Sequence, residues 1–397
     1  MNYSNKAINL TPSVTLAITA KAKDLKDQGK DVIGFGAGEP DFNTPQNIID
    51  AAVKAMNEGK TKYTAASGIN ELKDAVIAKL SRDNGLTYGR DQVIISTGGK
   101  QCLSNAFTAL LNDGDEVLIA IPYWVSYPDL VTLSGGVSVF LETERDNDYK
   151  ITVDILERQT TDKTKALVLN SPNNPTGTIY TEEELREIAE FCRKRDLFII
   201  SDEMYEKLIY GDEKHVSIAS LSEDAYRRTL IVSGLSKSYA MTGWRMGYAA
   251  GPKDLVKLMG SIQSHTTSNP TSFVQYGAVE ALNGDQGFIS EMNDEFRRRR
   301  DYMVERTRGL KDLDLIYPKG AFYVMIDISL YLGKTYKGKV LKDSIDFSQY
   351  LLEDYLVAVV PGQAFGLEGF VRASYATSME NIRKGFDRIE AYLSNII

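Results

Sequence analysis

Residues 166–201 read ALVLNSPNNPTGTIYTEEELREIAEFCRKRDLFIIS, and this stretch decides the fold class. Two apolar runs, Ala166 to Asn170 and Leu197 to Ser201, have the length and composition of buried strands. Between them, Glu182 to Arg193 has the amphipathic pattern of a helix that begins after Thr181 with acidic residues in its first turn. A strand, a helix and a second strand in this order predict parallel pairing in an α/β sheet.

The same alternation extends from about residue 46 to residue 285. Further strands are predicted at Val93 to Ser96, Glu116 to Ala120 and Thr229 to Ser233. After residues 317–320 the pattern changes. It predicts strands at Ala321 to Ile326 and Val357 to Val360, a charged helix at 291–309 and a final helix near 379–395. We therefore predict a large domain with a mostly parallel sheet and a second, smaller domain.

Composition restricts the class of protein. The chain has 397 residues, of which 43% are hydrophobic and 25% charged, as is typical of a globular protein with a sizeable core. A net charge of -8 argues against nucleic-acid binding. The basic run Arg297 to Arg300 lies among acidic residues on a helical pattern, which indicates a salt-bridged surface.

The apolar runs, cysteines and histidines of the sequence restrict the cellular location of the protein and the metal sites that it can form. No apolar run approaches the roughly 18 residues of a membrane span, and residues 1–30 lack the pattern of a secretion signal. Cys102 and Cys192 lie far apart, which favours a reduced, cytoplasmic protein. His215 and His265 are the only histidines, so zinc sites and Ser-His-Asp triads are disfavoured and no metal is expected.

Polar residues follow the predicted strands, where parallel sheets bind ligands. Lys237 lies in a small polar loop eight residues before Arg245, and a neighbouring cation or desolvation would make its amine a nucleophile. Taken alone, such a lysine is usually a solvated loop residue. Gly98 and Gly99 precede an apolar helix, whose N-terminus would bind a phosphate or would simply be capped.

Three further strand ends carry candidate residues, each with a structural alternative. Trp124 would stack on a ring or pack in the core. Asn174 would hydrogen-bond a ring hydroxyl or belong to a plain turn. Asp202 ends an apolar strand and needs a cationic partner, such as a protonated pyridine nitrogen, with Tyr205 three residues later. Together the strand ends predict a pocket for a phosphorylated aromatic cofactor.

With these residues in place, the sequence resembles the fold-type I aminotransferases, and within them the bacterial aspartate aminotransferases of the gamma subgroup. The resemblance runs nearly end to end. It rests on these motifs: Gly38-Glu39-Pro40-Asp41-Phe42, Lys62-Tyr63, Gly98-Gly99-Lys100-Gln101, Pro122-Tyr123-Trp124, Asn173-Asn174-Pro175-Thr176-Gly177, Asp202-Glu203-Met204-Tyr205, Ser236-Lys237, Gly243-Trp244-Arg245 and Arg372-Ala373-Ser374-Tyr375.

The resemblance implies the fold and the boundaries of the domains. We expect a three-layer α/β/α large domain at 46–285 with a mostly parallel seven-stranded sheet. The smaller α+β domain would consist of residues 286–397 together with an N-terminal segment, 1–45.

The resemblance also implies that pyridoxal 5'-phosphate is the cofactor. Lys237 would form an imine with it and move the substrate proton, and Asp202 would keep the pyridine nitrogen protonated. Asn174 and Tyr205 would hold the ring oxygen, and Trp124 would stack on the ring. The remaining cofactor-binding residues, mostly at the phosphate, would be Gly99, Lys100, Ser236 and Arg245, with Tyr63 contributed by the partner subunit of a homodimer.

Substrate contacts follow from the same resemblance. Arg372 would pair with the α-carboxylate through two parallel hydrogen bonds, near the backbone of Gly38. Lys100 would meet a distal carboxylate, with hydroxyls near Ser13 and Thr15 close by. Trp124 and Asn174 would also face the substrate.

The expected reaction is transfer of the amino group from L-aspartate to 2-oxoglutarate by ping-pong chemistry. Three alternatives remain at this point. An aromatic or prephenate aminotransferase would share every cofactor residue, and a carbon-sulfur lyase would use the same lysine. A non-enzymatic regulator on this fold would be expected to carry an added DNA-binding domain.

Overall fold

The computed structural model describes residues 3–8, 10 and 14–397. Its helices are α1 (Asn5–Ile8), α2 (Val14–Asp27), α3 (Gln46–Asn57), α4 (Asn70–Asn84), α5 (Gly99–Leu110), α6 (Ser126–Leu133), α7 (Val153–Gln159), α8 (Glu182–Arg195), α9 (Glu223–Arg228), α10 (Lys253–Thr266), α11 (Ser272–Asn283), α12 (Gly287–Gly309), α13 (Ser344–Tyr355) and α14 (Met379–Leu393). Its strands are β1 (Ile33–Gly34), β2 (Val93–Ser96), β3 (Glu116–Ile121), β4 (Val137–Glu142), β5 (Thr164–Asn170), β6 (Phe198–Asp202), β7 (Thr229–Gly234), β8 (Gly247–Ala250), β9 (Asp314–Ile316), β10 (Tyr323–Asp327), β11 (Thr335–Tyr336), β12 (Lys339–Val340), β13 (Val357–Ala358), β14 (Val360–Pro361) and β15 (Phe370–Ser374).

A seven-stranded sheet forms the centre of the described chain, with strand order β2-β8-β7-β6-β5-β3-β4. Its strands are parallel except β8, which runs antiparallel to β2 and β7. Val93 and Ile95 pack in one buried cluster with residues of α4 and α11, whereas Ile94 packs with residues of α5 and α10. Because alternate residues of a strand point to opposite faces, helices cover both sides of this sheet. The predicted three-layer arrangement is confirmed.

A second, antiparallel sheet has the order β14-β15-β10-β9. It packs with α12, α13 and α14 around a buried cluster that includes Phe296, Phe322 and Phe386. Ile33 and Phe35 of the N-terminal segment lie in the same cluster, and β1 pairs in parallel with β13. On this basis we propose that residues 1–45 and 286–397 form the small domain and residues 46–285 the large one.

The predicted elements agree with the structure, with differences at their ends. Helix α8 begins where expected, because Thr181 and Glu184 form a reciprocal capping box. The predicted strand at Ala321 to Ile326 begins only at Tyr323, since Ala321 has a φ of 58° and cannot continue a strand. The predicted strand at Val357 to Val360 is two strands, β13 and β14, which pair with β1 and β15 respectively.

Two further features bear on the sequence-based expectations. None of the helices in the described ranges is long and apolar enough to cross a membrane. Cys102 and Cys192 are both buried and free.

Candidate active site

A cavity of about 470 Å³ opens where β2, β3, β5, β6 and β7 end. Most of the residues singled out from the sequence line it: Gly38, Gly99, Lys100, Trp124, Asn174, Asp202, Tyr205, Ser236, Lys237, Arg245 and Arg372. The cavity therefore brings together groups from the central sheet, from the second sheet and from the N-terminal segment, which are far apart in the sequence.

Lys237 lies in the loop after β7, between the two sheets. Its Nζ donates a hydrogen bond to the backbone oxygen of Gly38. Burial lowers the pKa of Lys237 to about 8, with Arg245 and Arg372 acting in the same direction and Glu39 opposing them. An amine with this pKa is partly neutral near physiological pH and can act as a nucleophile and a base.

Asp202 ends β6 and is 7% exposed. Its Oδ2 accepts a hydrogen bond from the Tyr127 hydroxyl at 2.7 Å, and its Oδ1 accepts one from the Met204 backbone at 3.2 Å. Burial raises the pKa of Asp202 to about 6, although both hydrogen bonds lower it. Asp202 has no salt bridge to any described residue, so a cationic ring nitrogen in the cavity would meet an unpaired buried carboxylate.

A buried polar network fixes the turn that carries Asp202 and Tyr205. The Glu203 carboxylate accepts hydrogen bonds from Ser201 at 2.9 Å and Ser217 at 2.7 Å, and lies 2.9 Å from His215 Nε2. Glu206 forms a buried ion pair with Lys79, which lowers the pKa of Glu206 against the opposing effect of burial. Because these partners come from several elements, the turn is held from several sides.

Helix α5 begins at the cavity with the features of an anion site. Gly98 has a φ of 84°, and a side chain there would place Cβ 2.6 Å from an Arg245 guanidinium nitrogen. The backbone N-H groups of Gly99 and Lys100 have no acceptor among the described residues. Arg245 itself has a φ of 54°, a left-handed conformation that costs free energy in a residue with a side chain. These donors and this cation fit a phosphate.

Arg372 is on β15 and is 3% exposed. Its Nη1 donates to Asn174 Oδ1 at 3.0 Å and its Nη2 to the Gly36 oxygen at 3.2 Å, whereas its buried Nε has no partner among the described residues. The guanidinium carbon lies 4.2 Å from the centre of the Tyr323 ring and 4.8 Å from that of Phe365. A buried cation without a carboxylate partner fits an anionic ligand.

Two aromatic side chains complete the walls. The Trp124 ring lies edge-on to Tyr127, with their centres 5.3 Å apart, and Lys100 Nζ lies 5.0 Å from the centre of the Trp124 ring. Burial lowers the pKa of Lys100, and Arg245 adds to that effect. Tyr205 is buried, and its hydroxyl lies 3.0 Å from that of Tyr323.

Three predicted residues are not placed in this cavity. Tyr63 is 91% exposed in the segment between α3 and α4 and does not line the cavity. Ser13 lies outside the described residues. Thr15 is described only through its backbone, as part of α2. The roles of all three stay predictions.

Sequence reasoning missed Tyr127, Tyr323 and Phe365, which also line the cavity. Tyr127 had a partial signal, because it follows the same strand end as Trp124 by only a few residues. Tyr323 lies in a strand that was predicted, but its neighbour across the cavity, Tyr205, is 118 positions away. Phe365 had no local signal.

Comparisons with known proteins agree with the geometry. A family model for aminotransferases of class I and II matches residues 30–389. An aspartate aminotransferase of Bacillus sp. (strain YM-2) is 48% identical over 390 residues, which cover 98% of each chain. A probable aspartate/prephenate aminotransferase of Aquifex aeolicus is 47% identical over 395 residues, 99% of each. The crystal structure of the aspartate aminotransferase from Rhizobium meliloti superimposes with a TM-score of 0.97, at 43% identity and full coverage of both chains.

Proposed function

This chain belongs to the class I and II aminotransferases, and from that premise we propose that it transfers the amino group of L-aspartate to 2-oxoglutarate, giving oxaloacetate and L-glutamate. The observation that carries the substrate assignment is a pair of cations on the cavity wall. Arg372 is buried with an unused Nε, and Lys100 lies beside Trp124. Two separate positive groups suit a substrate with two carboxylates.

The cofactor of this family is pyridoxal phosphate. When bound, it supplies an electron sink for the charge that develops at the substrate α-carbon. The unpaired Asp202 carboxylate and the N-terminus of α5 fit its pyridine nitrogen and its phosphate respectively. We assign the phosphate to Gly99, Lys100, Ser236 and Arg245.

The other contacts follow from the positions of the side chains. Asn174 uses its Oδ1 toward Arg372, which leaves its amide nitrogen for the ring oxygen, together with the Tyr205 hydroxyl. Trp124 is on the cavity wall, where it would cover one face of the ring.

Lys237 would hold the cofactor and move the substrate proton. Its Nζ donates a hydrogen bond to the backbone oxygen of Gly38, which lies in the N-terminal segment. The lowered pKa of Lys237 suits proton transfer near neutral pH. Arg372 would orient the α-carboxylate so that the α-hydrogen faces Nζ. In a ping-pong reaction the first keto acid leaves before 2-oxoglutarate enters.

We also propose a symmetric homodimer in which Tyr63 reaches the phosphate of the partner subunit. The support is its 91% exposure, unusual for a large aromatic residue, and its position outside its own cavity. Two free buried cysteines support a reducing compartment, and we propose the cytoplasm.

An aromatic or prephenate aminotransferase is the second candidate. Trp124, Phe365 and Leu103 give the cavity an apolar side, and one relative is named a probable aspartate/prephenate aminotransferase. Comparison of kcat/KM decides between the two. If aspartate does not exceed phenylalanine and arogenate as the amino donor, the proposed donor is wrong. Prephenate is a 2-oxo acid, so it is compared with 2-oxoglutarate as the amino acceptor.

The test of the proposal is one half-reaction. The purified, cofactor-loaded protein is mixed with L-aspartate alone while the visible absorbance of the cofactor and the release of oxaloacetate are measured. One oxaloacetate per site with loss of the visible band is expected. A response to phenylalanine or arogenate but not to aspartate would overturn the donor. Release of pyruvate and ammonia from a cysteine-type substrate without a keto acid would instead indicate a carbon-sulfur lyase.

A further inference from the structure

Tyr323 is a buried residue on the wall of the cavity. It is 1% exposed on β10, in the C-terminal sheet, and it lines the cavity. We propose that Tyr323 is a positioning residue that holds two working groups at once, the Tyr205 hydroxyl through its own hydroxyl and the Arg372 guanidinium through its ring face. The inference rests on the proposed function and extends it.

The hydroxyl contact joins the two sheets. Tyr205 follows β6 of the central sheet, and its oxygen lies 3.0 Å from that of Tyr323. Both side chains are buried, and burial raises the pKa of Tyr205 well above its usual range. Tyr205 therefore stays a neutral phenol. When Tyr205 donates its proton to a ring oxygen, its own oxygen is free to accept from Tyr323, and that second bond strengthens the first.

The ring contact holds the carboxylate-binding cation. The Arg372 guanidinium carbon lies 4.2 Å from the centre of the Tyr323 ring, within the range of a strong cation-π contact. Phe365 covers the guanidinium as well, at 4.8 Å. With two aromatic contacts and bonds to Asn174 and Gly36, the plane of the guanidinium is fixed before a substrate arrives.

The charged groups that act on this pair of phenols are Arg372 and Asp202. The cavity wall also carries Lys237, Glu39, Lys100 and Arg245. None of them forms a hydrogen bond with either hydroxyl. Removal of the Tyr323 hydroxyl would therefore leave the Tyr205 hydroxyl without a partner among the residues that the structure describes.

Two substitutions separate the two contacts. Tyr323→Phe removes the hydroxyl and keeps the ring, whereas Tyr323→Leu removes both. Tyr331→Phe is the matched control. Tyr331 is buried in the same cluster and its hydroxyl donates to the Lys311 backbone at 2.7 Å, but it does not line the cavity.

The first measurement is the pH at which the visible band of the bound cofactor changes in the loaded protein. A hydrogen-bond donor to the ring oxygen favours the deprotonated form of the nitrogen that joins Lys237 to the cofactor. When the hydrogen bond from that donor is weakened, the midpoint therefore moves to a higher pH. For Tyr323→Phe we expect a rise of roughly 0.1–0.6 pH unit, because the lost bond strengthens the bond from Tyr205 to the ring oxygen by about 10–30% and does not replace it. Tyr331→Phe should stay at the wild-type value. An unchanged midpoint in Tyr323→Phe, or an equal shift in Tyr331→Phe, overturns the proposal.

The second measurement is the dissociation constant of succinate, a dicarboxylate that does not react, for the loaded protein. Tyr323→Phe should bind succinate within about twofold of wild type, while Tyr323→Leu should bind roughly tenfold more weakly. Equal binding by both variants refutes the role of the ring. Because the pH midpoint needs no amino donor, failure of the aspartate assignment leaves this test intact. Melting temperatures of Tyr323→Phe and Tyr331→Phe show whether both are folded.

Discussion

The Arg372→Lys substitution tests most directly whether Arg372 binds the α-carboxylate of the substrate. The Arg372 guanidinium uses two hydrogen bonds to hold its own position, one to Asn174 and one to Gly36, and keeps Nε free. The guanidinium can therefore hold a carboxylate by two parallel hydrogen bonds while its bonds to Asn174 and Gly36 keep it in position. Lysine keeps the positive charge but, with one nitrogen, cannot make both the internal bonds and the parallel pair.

The expected loss is one charge-assisted hydrogen bond in the transition state, about 1.5–3 kcal/mol, which corresponds to a decrease of roughly 10- to 150-fold in kcat/KM for L-aspartate. The affinity for the cofactor should not change, because the protein groups that would bind its phosphate lie at the N-terminus of α5 and do not include Arg372. The assay is steady-state kinetics with L-aspartate and 2-oxoglutarate, together with titration of the cofactor into the cofactor-free protein.

Arg300→Lys is the control for a buried arginine. Arg300 lies over the rings of Tyr210 and Tyr317, at 5.1 and 5.2 Å, and does not line the cavity. The kcat/KM of the Arg300→Lys variant for L-aspartate should stay within about threefold of wild type. If Arg372→Lys also stays within threefold, or if the two variants lose activity equally, Arg372 does not hold the α-carboxylate as proposed.

Three further predictions follow from the site. Lys237→Ala should abolish transamination but still bind pyridoxal phosphate noncovalently, as equilibrium dialysis would show, and retained turnover would remove the central assignment. Asp202→Asn should weaken cofactor binding yet stabilise the cofactor-free protein at pH 8. Burial raises the pKa of Asp202 from 3.8 to about 6, so the folded protein holds a proton that the unfolded chain releases, and stability from this group is lost as pH rises through that window, by up to about 3 kcal/mol. Melting curves at pH 4 and pH 8 should show the gain only at pH 8. Gly247→Ala would place Cβ 2.5 Å from the backbone of Gly98 and Gly99, and should lower both the melting temperature and the cofactor affinity, whereas Gly260→Ala in α10, with open space around it, should lower neither.

Much of this arrangement is readable from the sequence because parallel strands end at one edge. Once the strands at 166–170 and 197–201 are recognised, Asn174 and Asp202 must lie on the same side of the sheet. The same logic places Gly99, Trp124 and Lys237. These are consequences of local pattern and topology, and the structure brings all five to one cavity.

The contacts that tune the site were not readable. That Tyr127 donates to Asp202 depends on how α6 packs after β3, and that Tyr323 meets Tyr205 depends on how one sheet docks on the other. Neither follows from spacing or composition. The break of the predicted strand at Ala321 is of the same kind, because a left-handed residue other than glycine is set by tertiary contacts.

The hydrogen bonds that close the cavity also indicate the stage of folding at which the cavity can form. Lys237 and Gly38 are 199 positions apart, and Arg372 and Gly36 are 336 apart. Contacts this distant along the chain carry a large entropic cost of loop closure and form late. Capture of the cofactor should therefore report the last stage of refolding, after most helical structure has returned. A cofactor that binds only the folded protein also shifts the folding equilibrium toward the folded state by mass action.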